Sequence, residues 1–126
     1  MFAIPKIVDE QKGSWETALK ICIKYNASLA VIESEEKQLI LQTFLEKSHG
    51  DFWISGQRVF NGKFRWTNNG NEIHYTNWYP GYPKENNNNC VRFEGYEGNS
   101  VNGKWFNYNC DDSGNVHVVC EFWLNN

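Results

Sequence analysis

The stretch S-W-E-T-A-L-K-I-C, residues 14–22, decides how the first half of the chain is read. Trp15, Ala18, Leu19 and Cys22 recur at i, i+3, i+4 and i+7, the spacing of one helix face, and Ser14 stands where an N-cap belongs. The helix therefore carries a cysteine on its buried side. A short apolar, strand-like piece follows at Leu29 to Ile32, after which Ser34 can cap a second helix. Glu35 and Glu36 in its first turn complement the positive end of the helix dipole. Ile40, Leu41, Phe44 and Leu45 are expected to form its inner face, with Gly50 placed to end it.

Beyond residue 50 the signals change to short strands: Phe52 to Ser55, Phe64 to Trp66, Val91 to Phe93, Trp105 to Phe106 and Val116 to Phe122. Asn-Gly pairs at 61–62, 69–70 and 102–103 punctuate them as turns. The last strand alternates Val116, Val118, Cys120 and Phe122 against His117, Val119 and Glu121, which puts Cys120 on an apolar face. Helices first and strands after predict an α+β fold.

A chain of 126 residues can bury roughly two-thirds of its unfolded surface, so one domain over residues 1–126 is expected. Six Trp, six Tyr and eight Phe predict an aromatic core. Asn is the unusual residue, at 17 copies, and its tolerance of tight turns predicts a loop-rich second half. A net charge of -3 with interspersed signs offers no basic stripe for nucleic acid or an anionic membrane. No apolar run reaches the length of a membrane span, and MFAIPK is too short and polar for a secretory leader. Met1 is read as standing in place of a removed leader.

Cys22, Cys90, Cys110 and Cys120 form no C-x-x-C pair, and His49, His74 and His117 lie at no zinc-ligand spacing from them. Two disulfides are the leading reading, with three connectivities open, and they point to secretion or an ectodomain. Asn26-Ala27-Ser28 fits the N-glycosylation pattern.

The chain resembles the C-type lectin-like domain over essentially its whole length. The resemblance rests on W-x-x-A-L-x-x-C (15–22), SLAVIESEEK (28–37), FWISG (52–56), GKFRW (62–66), YTNW (75–78) and the cysteine order, all at family spacing. FWISG with YTNWYPG is most similar to short secreted insect lectins. The resemblance implies the pairs Cys22–Cys120 and Cys90–Cys110, two helices flanking small antiparallel sheets, and a long ligand loop. Each disulfide would contribute roughly 3 to 5 kcal/mol by restricting the unfolded chain.

Sugar-binding members of that family act through Ca²⁺, which takes hard oxygen donors and depends on carboxylates for affinity. In this chain the central proline of the loop tripeptide matches Pro83, and its flanking ligands fall at Tyr82 and Lys84. The acid before the cysteine falls at Asn88, and Trp-Asn-Asp falls at Trp105, Phe106 and Asn107. Only Asn88 and Asn107 keep a usable carbonyl oxygen, so the resemblance implies a degenerate Ca²⁺ site. The second Ca²⁺ site of some members would draw on Gln57 and Asn61, leaving Glu85 as a lone carboxylate. A register shift would bring Glu85 and Asn86 into ligand positions. Alternatively the Lys84 ammonium would sit in place of the ion, donating to the Asn88 and Asn107 carbonyls.

Trp15, Trp53, Trp66, Trp78 and Trp105 read as core, and the three histidines as surface or strand residues. Tyr82 and Phe106 replace polar ligands on a loop face expected to be exposed, where they would pack, stack on a sugar or meet a protein. The Asn86 to Asn89 run reads as a solvated turn more readily than as a ligand cluster. No G-x-S-x-G or H-E-x-x-H string indicates an enzyme. The resemblance leaves a secreted lectin of innate immunity that recognises glycans, with Tyr82, Lys84, Glu85, Asn86, Asn88, Phe106 and Asn107 as candidate ligand residues. The alternative is a domain whose sugar site is lost and which binds a protein, including a second lectin-like chain; an ice-binding or inhibitory surface is the third reading.

Overall fold

The structure, a computed structural model, describes residues 2–8 and 12–124, so the reading of Met1 lies outside the described residues. Helix α1 spans Trp15–Lys24, and the Ser14 hydroxyl accepts from the Thr17 amide at 3.3 Å. It buries Trp15, Ala18, Ile21 and Cys22, with Leu19 partly buried against them. Helix α2 spans Glu35–Leu45 and is capped by Ser34, whose hydroxyl accepts from the Lys37 amide at 3.1 Å.

The inner face of α2 differs from expectation: Gln38, Leu41 and Leu45 are buried, whereas Ile40 and Phe44 are 49% and 41% exposed. A polar partner rotates the helix this way. The Gln38 carbonyl accepts from the Trp105 indole N–H at 3.0 Å, and its amide donates to the Gly103 carbonyl at 2.7 Å. The helix continues into a 3₁₀ turn, Glu46–Ser48, and His49 rather than Gly50 takes the left-handed conformation that ends it, φ 49°. Gly50 opens the next strand instead, where a Cβ would stand 2.8 Å from the His117 ring.

The described residues also form seven strands, numbered in chain order: β1 (Phe2–Ile7), β2 (Ser28–Leu29), β3 (Gly50–Arg58), β4 (Phe64–Trp66), β5 (Cys90–Gly95), β6 (Trp105–Tyr108) and β7 (Val116–Leu124). They form one sheet in the order β1-β7-β3-β5-β6, with β2 added to β7 and β4 to β3. The pairs are antiparallel, as expected of small antiparallel sheets, except for a parallel pairing of β3 with β7, Phe52 opposite His117, which joins them. Strand β1, not anticipated from sequence, runs antiparallel to β7 with Ile4 opposite Phe122. Its Pro5 is tolerated because an edge strand leaves one side without ladder bonds. The β3–β5 register slips between Trp53 and Gln57, and there Gly56 lies so close to β5 that a Cβ would approach Val91 to 2.9 Å. All three Asn-Gly turns place their glycine at positive φ, 75° to 85°.

Indole N–H groups tie the aromatic core to backbone and side-chain acceptors. Trp15 donates to the Ile54 carbonyl and Trp53 to the Gly13 carbonyl, at 2.9 and 3.0 Å. Trp66, Tyr75 and Trp78 pack edge-on around Trp105 at 5.6 to 6.1 Å. The disulfides are Cys22–Cys120 and Cys90–Cys110, as the resemblance implied.

Glu121 is fully buried, and its carboxylate accepts from the Val31 amide at 2.6 Å and pairs with the Lys37 ammonium at 2.5 Å. Lys37 also donates to the Val31 carbonyl at 3.0 Å. Removing the ammonium leaves a buried carboxylate without its counter-charge. Lys37→Met is therefore expected to cost about 3 kcal/mol of unfolding free energy, and Lys37→Met with Glu121→Gln to recover part of it, both read from urea midpoints.

A second buried charge sits between β3 and β5. Glu94 is pushed from an ordinary 4.5 up to about 7, first by burial and then by the neighbouring Asp51, with Arg92 opposing. Its folded pKa exceeds its unfolded one, so its contribution is complete below about 4.5 and is lost as pH rises toward 7. Denaturant midpoints should fall across that window, and Glu94→Gln should flatten the slope.

Candidate functional site

The long loop, residues 79–89, leaves the sheet beside β6 and returns into β5. Its entry is held by Trp78 bridging Trp105 and by the Tyr79 amide donating to the Trp105 carbonyl at 3.0 Å. Its exit is held by Cys90, bonded to Cys110. Between these ends two side chains from the sheet grip the loop backbone.

The first is Asn107 of β6, 1% exposed. Its Oδ1 accepts from the Lys84 amide at 2.8 Å, while its Nδ2 donates to the Lys84 and Asn88 carbonyls at 3.1 and 2.8 Å. A primary amide thus pairs with the peptide of Lys84 as a neighbouring strand would. The second is Arg58 at the end of β3, whose guanidinium donates to the Lys84 carbonyl at 2.6 Å and the Asn86 carbonyl at 3.2 Å. Phe64 lies under that guanidinium, 4.9 Å from its ring centre, and fixes its plane. Sequence reasoning missed Arg58. The available signal was a cation next to Gln57, a position where the resemblance implied a lost acid.

The other candidates are brought together in part. Lys84 reaches the site through its peptide group, and its ammonium lies 5.0 Å above the Tyr82 ring instead of on the asparagine carbonyls. Glu85 projects outward, 93% exposed, with a carboxylate oxygen 3.8 Å from Arg58. Asn86 turns its Oδ1 back to the Asn88 amide at 2.9 Å, so part of the asparagine run closes its own turn. Among the described residues no group of three or more His, Cys, Asp or Glu side chains gathers as a metal-ligand cluster. Asn26 is exposed just beyond α1, at φ 57°.

Phe106 is not on an exposed face: it is 7% exposed beneath two tyrosines. Tyr79 stacks on it at 4.9 Å and Tyr82 meets it edge-on at 4.7 Å. The half-buried Tyr79 and Tyr82 form the outer layer of this stack. Tyr79, within YTNWYPG, thereby joins the loop surface, a place its sequence neighbours do not signal.

Asn107→Ala is expected to release the Lys84 peptide. Hydrogen exchange should show amides 84–88 losing about 2 kcal/mol of protection while β3 and β5 stay protected.

Known proteins share this fold. A family model described as the lectin C-type domain matches residues 11–122. Salivary C-type lectin 2 of Aedes albopictus is 31% identical over 118 residues, covering 86% of this chain and 77% of that protein. The carbohydrate-recognition domain of a mouse scavenger receptor C-type lectin superposes with a TM-score of 0.80 at 19% identity, covering 99% of this chain and 93% of that one. The C-type lectin domain of murine dendritic cell inhibitory receptor 2, solved in complex with an N-glycan, superposes with a TM-score of 0.79 at 22% identity, covering 97% and 91%. With the helices, both disulfides and the proline-centred loop in place, the chain belongs to the C-type lectin domain family.

Proposed function

We infer that residues 1–126 form one secreted glycan-recognising domain whose long loop works without calcium, a recogniser of foreign surface glycans in innate defence. The observation that carries this reading is the grip of Asn107 and Arg58 on the Lys84 peptide. Those groups hold the loop in shape by hydrogen bonds from the protein itself. The same residues do not fit a Ca²⁺ ion, which takes six to eight oxygens and depends on carboxylates. The Asn107 oxygen is engaged by an amide, Glu85 is turned to Arg58, and a guanidinium stands beside the loop.

Recognition then falls to the groups that face outward: Tyr82 as an apolar platform, with Lys84, Glu85 and Asn86 as hydrogen-bonding partners for sugar hydroxyls. Secretion is supported by the two disulfides and by the salivary relative. Exposed Asn26 is then available as a glycan acceptor. Binding, not catalysis, is the activity proposed.

One observation favours the competing reading of a protein partner. Phe60, in the β3–β4 turn, is fully exposed and borders a cleft of about 350 Å³ shared with Asn86 and Asn87 of the loop. A glycan array run in Ca²⁺ and again in chelator tests both readings. Retention that survives chelation, and weakens at least tenfold in Tyr82→Ala, is expected; loss of retention on chelation overturns the calcium-free loop. An array without retained glycans shifts the assignment to a protein partner.

A further inference from the structure

A second groove lies against α2 and the end of β7, sharing no residue with the loop. Its volume is about 580 Å³, within the range of small-ligand sites. Trp123, 47% exposed, forms one wall. Its position follows from strand geometry, because residues two apart on β7 project to the same side and Trp123 therefore stands beside Glu121. The indole is held in orientation by its N–H, which donates to the Ser28 hydroxyl at 3.1 Å, and by the Lys37 ammonium 5.9 Å from its ring centre.

Facing it are polar groups that are themselves oriented. The exposed Glu33 carboxylate accepts from the Asn69 amide at 3.4 Å and the Asn71 amide at 3.1 Å. A carboxylate offers about four acceptor positions, so capacity for further donors remains. The Asn68 amide donates to the Leu29 carbonyl at 2.6 Å, which fixes the floor of the groove. Lys37 does not make the groove an anion site, because its charge is matched by the buried Glu121 and Glu33 adds a second carboxylate.

We propose that this groove is a metal-independent saccharide subsite that takes a neutral hexopyranose. The sugar's C–H face rests on the Trp123 indole, and its adjacent hydroxyls donate to Glu33 and accept from Asn69. A pyranose matches the surface in both respects: one apolar face for a fixed aromatic ring, and hydroxyl pairs for a carboxylate set beside an amide. Two carboxylates to one ammonium select a neutral sugar over a sulfated or sialylated one. The subsite is independent of the loop and stands or falls without it.

The test is a titration of ¹⁵N-labelled protein in chelator with methyl mannoside, methyl galactoside, N-acetylglucosamine and N-acetylgalactosamine. The Trp123 indole signal is assigned by its disappearance in Trp123→Phe, a variant that keeps an aromatic ring. Saturable movement of that signal with at least one sugar is expected. Affinity should fall at least tenfold in Trp123→Ala and several-fold in Glu33→Gln, and remain unchanged in Lys20→Ala, on the exposed face of α1. The proposal is overturned if no sugar moves the Trp123 signal, or if Trp123→Ala binds as tightly as the parent. Movement confined to loop amides would support the loop as a glycan site and sink the groove; movement confined to the groove would do the reverse.

Discussion

The carboxylate of Glu121 is the constraint around which one half of the molecule is arranged. A fully buried anion is tolerated only when each oxygen has a partner, and here the carboxylate and its two partners come from three separate segments. Val31 supplies its amide, Lys37 of α2 its ammonium, and β7 the carboxylate itself. The neighbouring residue, Cys120, is bonded to Cys22 of α1. Within two residues of β7, therefore, both helices are tied to the same strand. Two residues further along, the alternation of the strand brings out Trp123, so the groove is a by-product of how the buried ion pair is built.

At the other end of the sheet the problem is different. A loop of about eleven residues has many backbone groups and few neighbours, and something must hold its carbonyls and amides in one arrangement. A metal ion does this by drawing oxygens inward. In this chain the same demand is met by side chains: a guanidinium on two carbonyls, and a primary amide on the Lys84 N–H and on the Lys84 and Asn88 carbonyls. Part of the asparagine run closes a turn of its own. Asn86 closes a turn onto Asn88, and the same two-residue pattern recurs at Asn61, Asn69, Asn99 and Asn109, each accepting from the amide two residues on.

Much of the fold was legible because its signals are local. Ser14 and Ser34 cap the helices as their positions predict, and the Asn-Gly pairs make their turns. The inner face of α2 was misread for a reason that is also physical. Hydrophobic spacing favoured Ile40 and Phe44, but the burial of Gln38 turned the helix toward Trp105, and no apolar periodicity announces a buried glutamine. Strand β1 was missed because its partner β7 lies at the opposite end of the chain. The loop was located correctly, while Phe106 was placed on its surface because nothing in the sequence foretold that Tyr79 and Tyr82 would cover it.

The sequence by itself determined the helices, the turns, the family and the residue types that line the loop. These depend on residue type and on spacings of a few residues, which a linear string preserves. Only the tertiary structure decided what holds the loop backbone and where an unassigned aromatic residue ends up. Arg58 meets Lys84 across 26 residues and Trp123 meets Ser28 across 95. Chain closure over such distances leaves no periodic trace, and only the sheet that joins β3, β7 and their neighbours brings those groups within hydrogen-bonding reach.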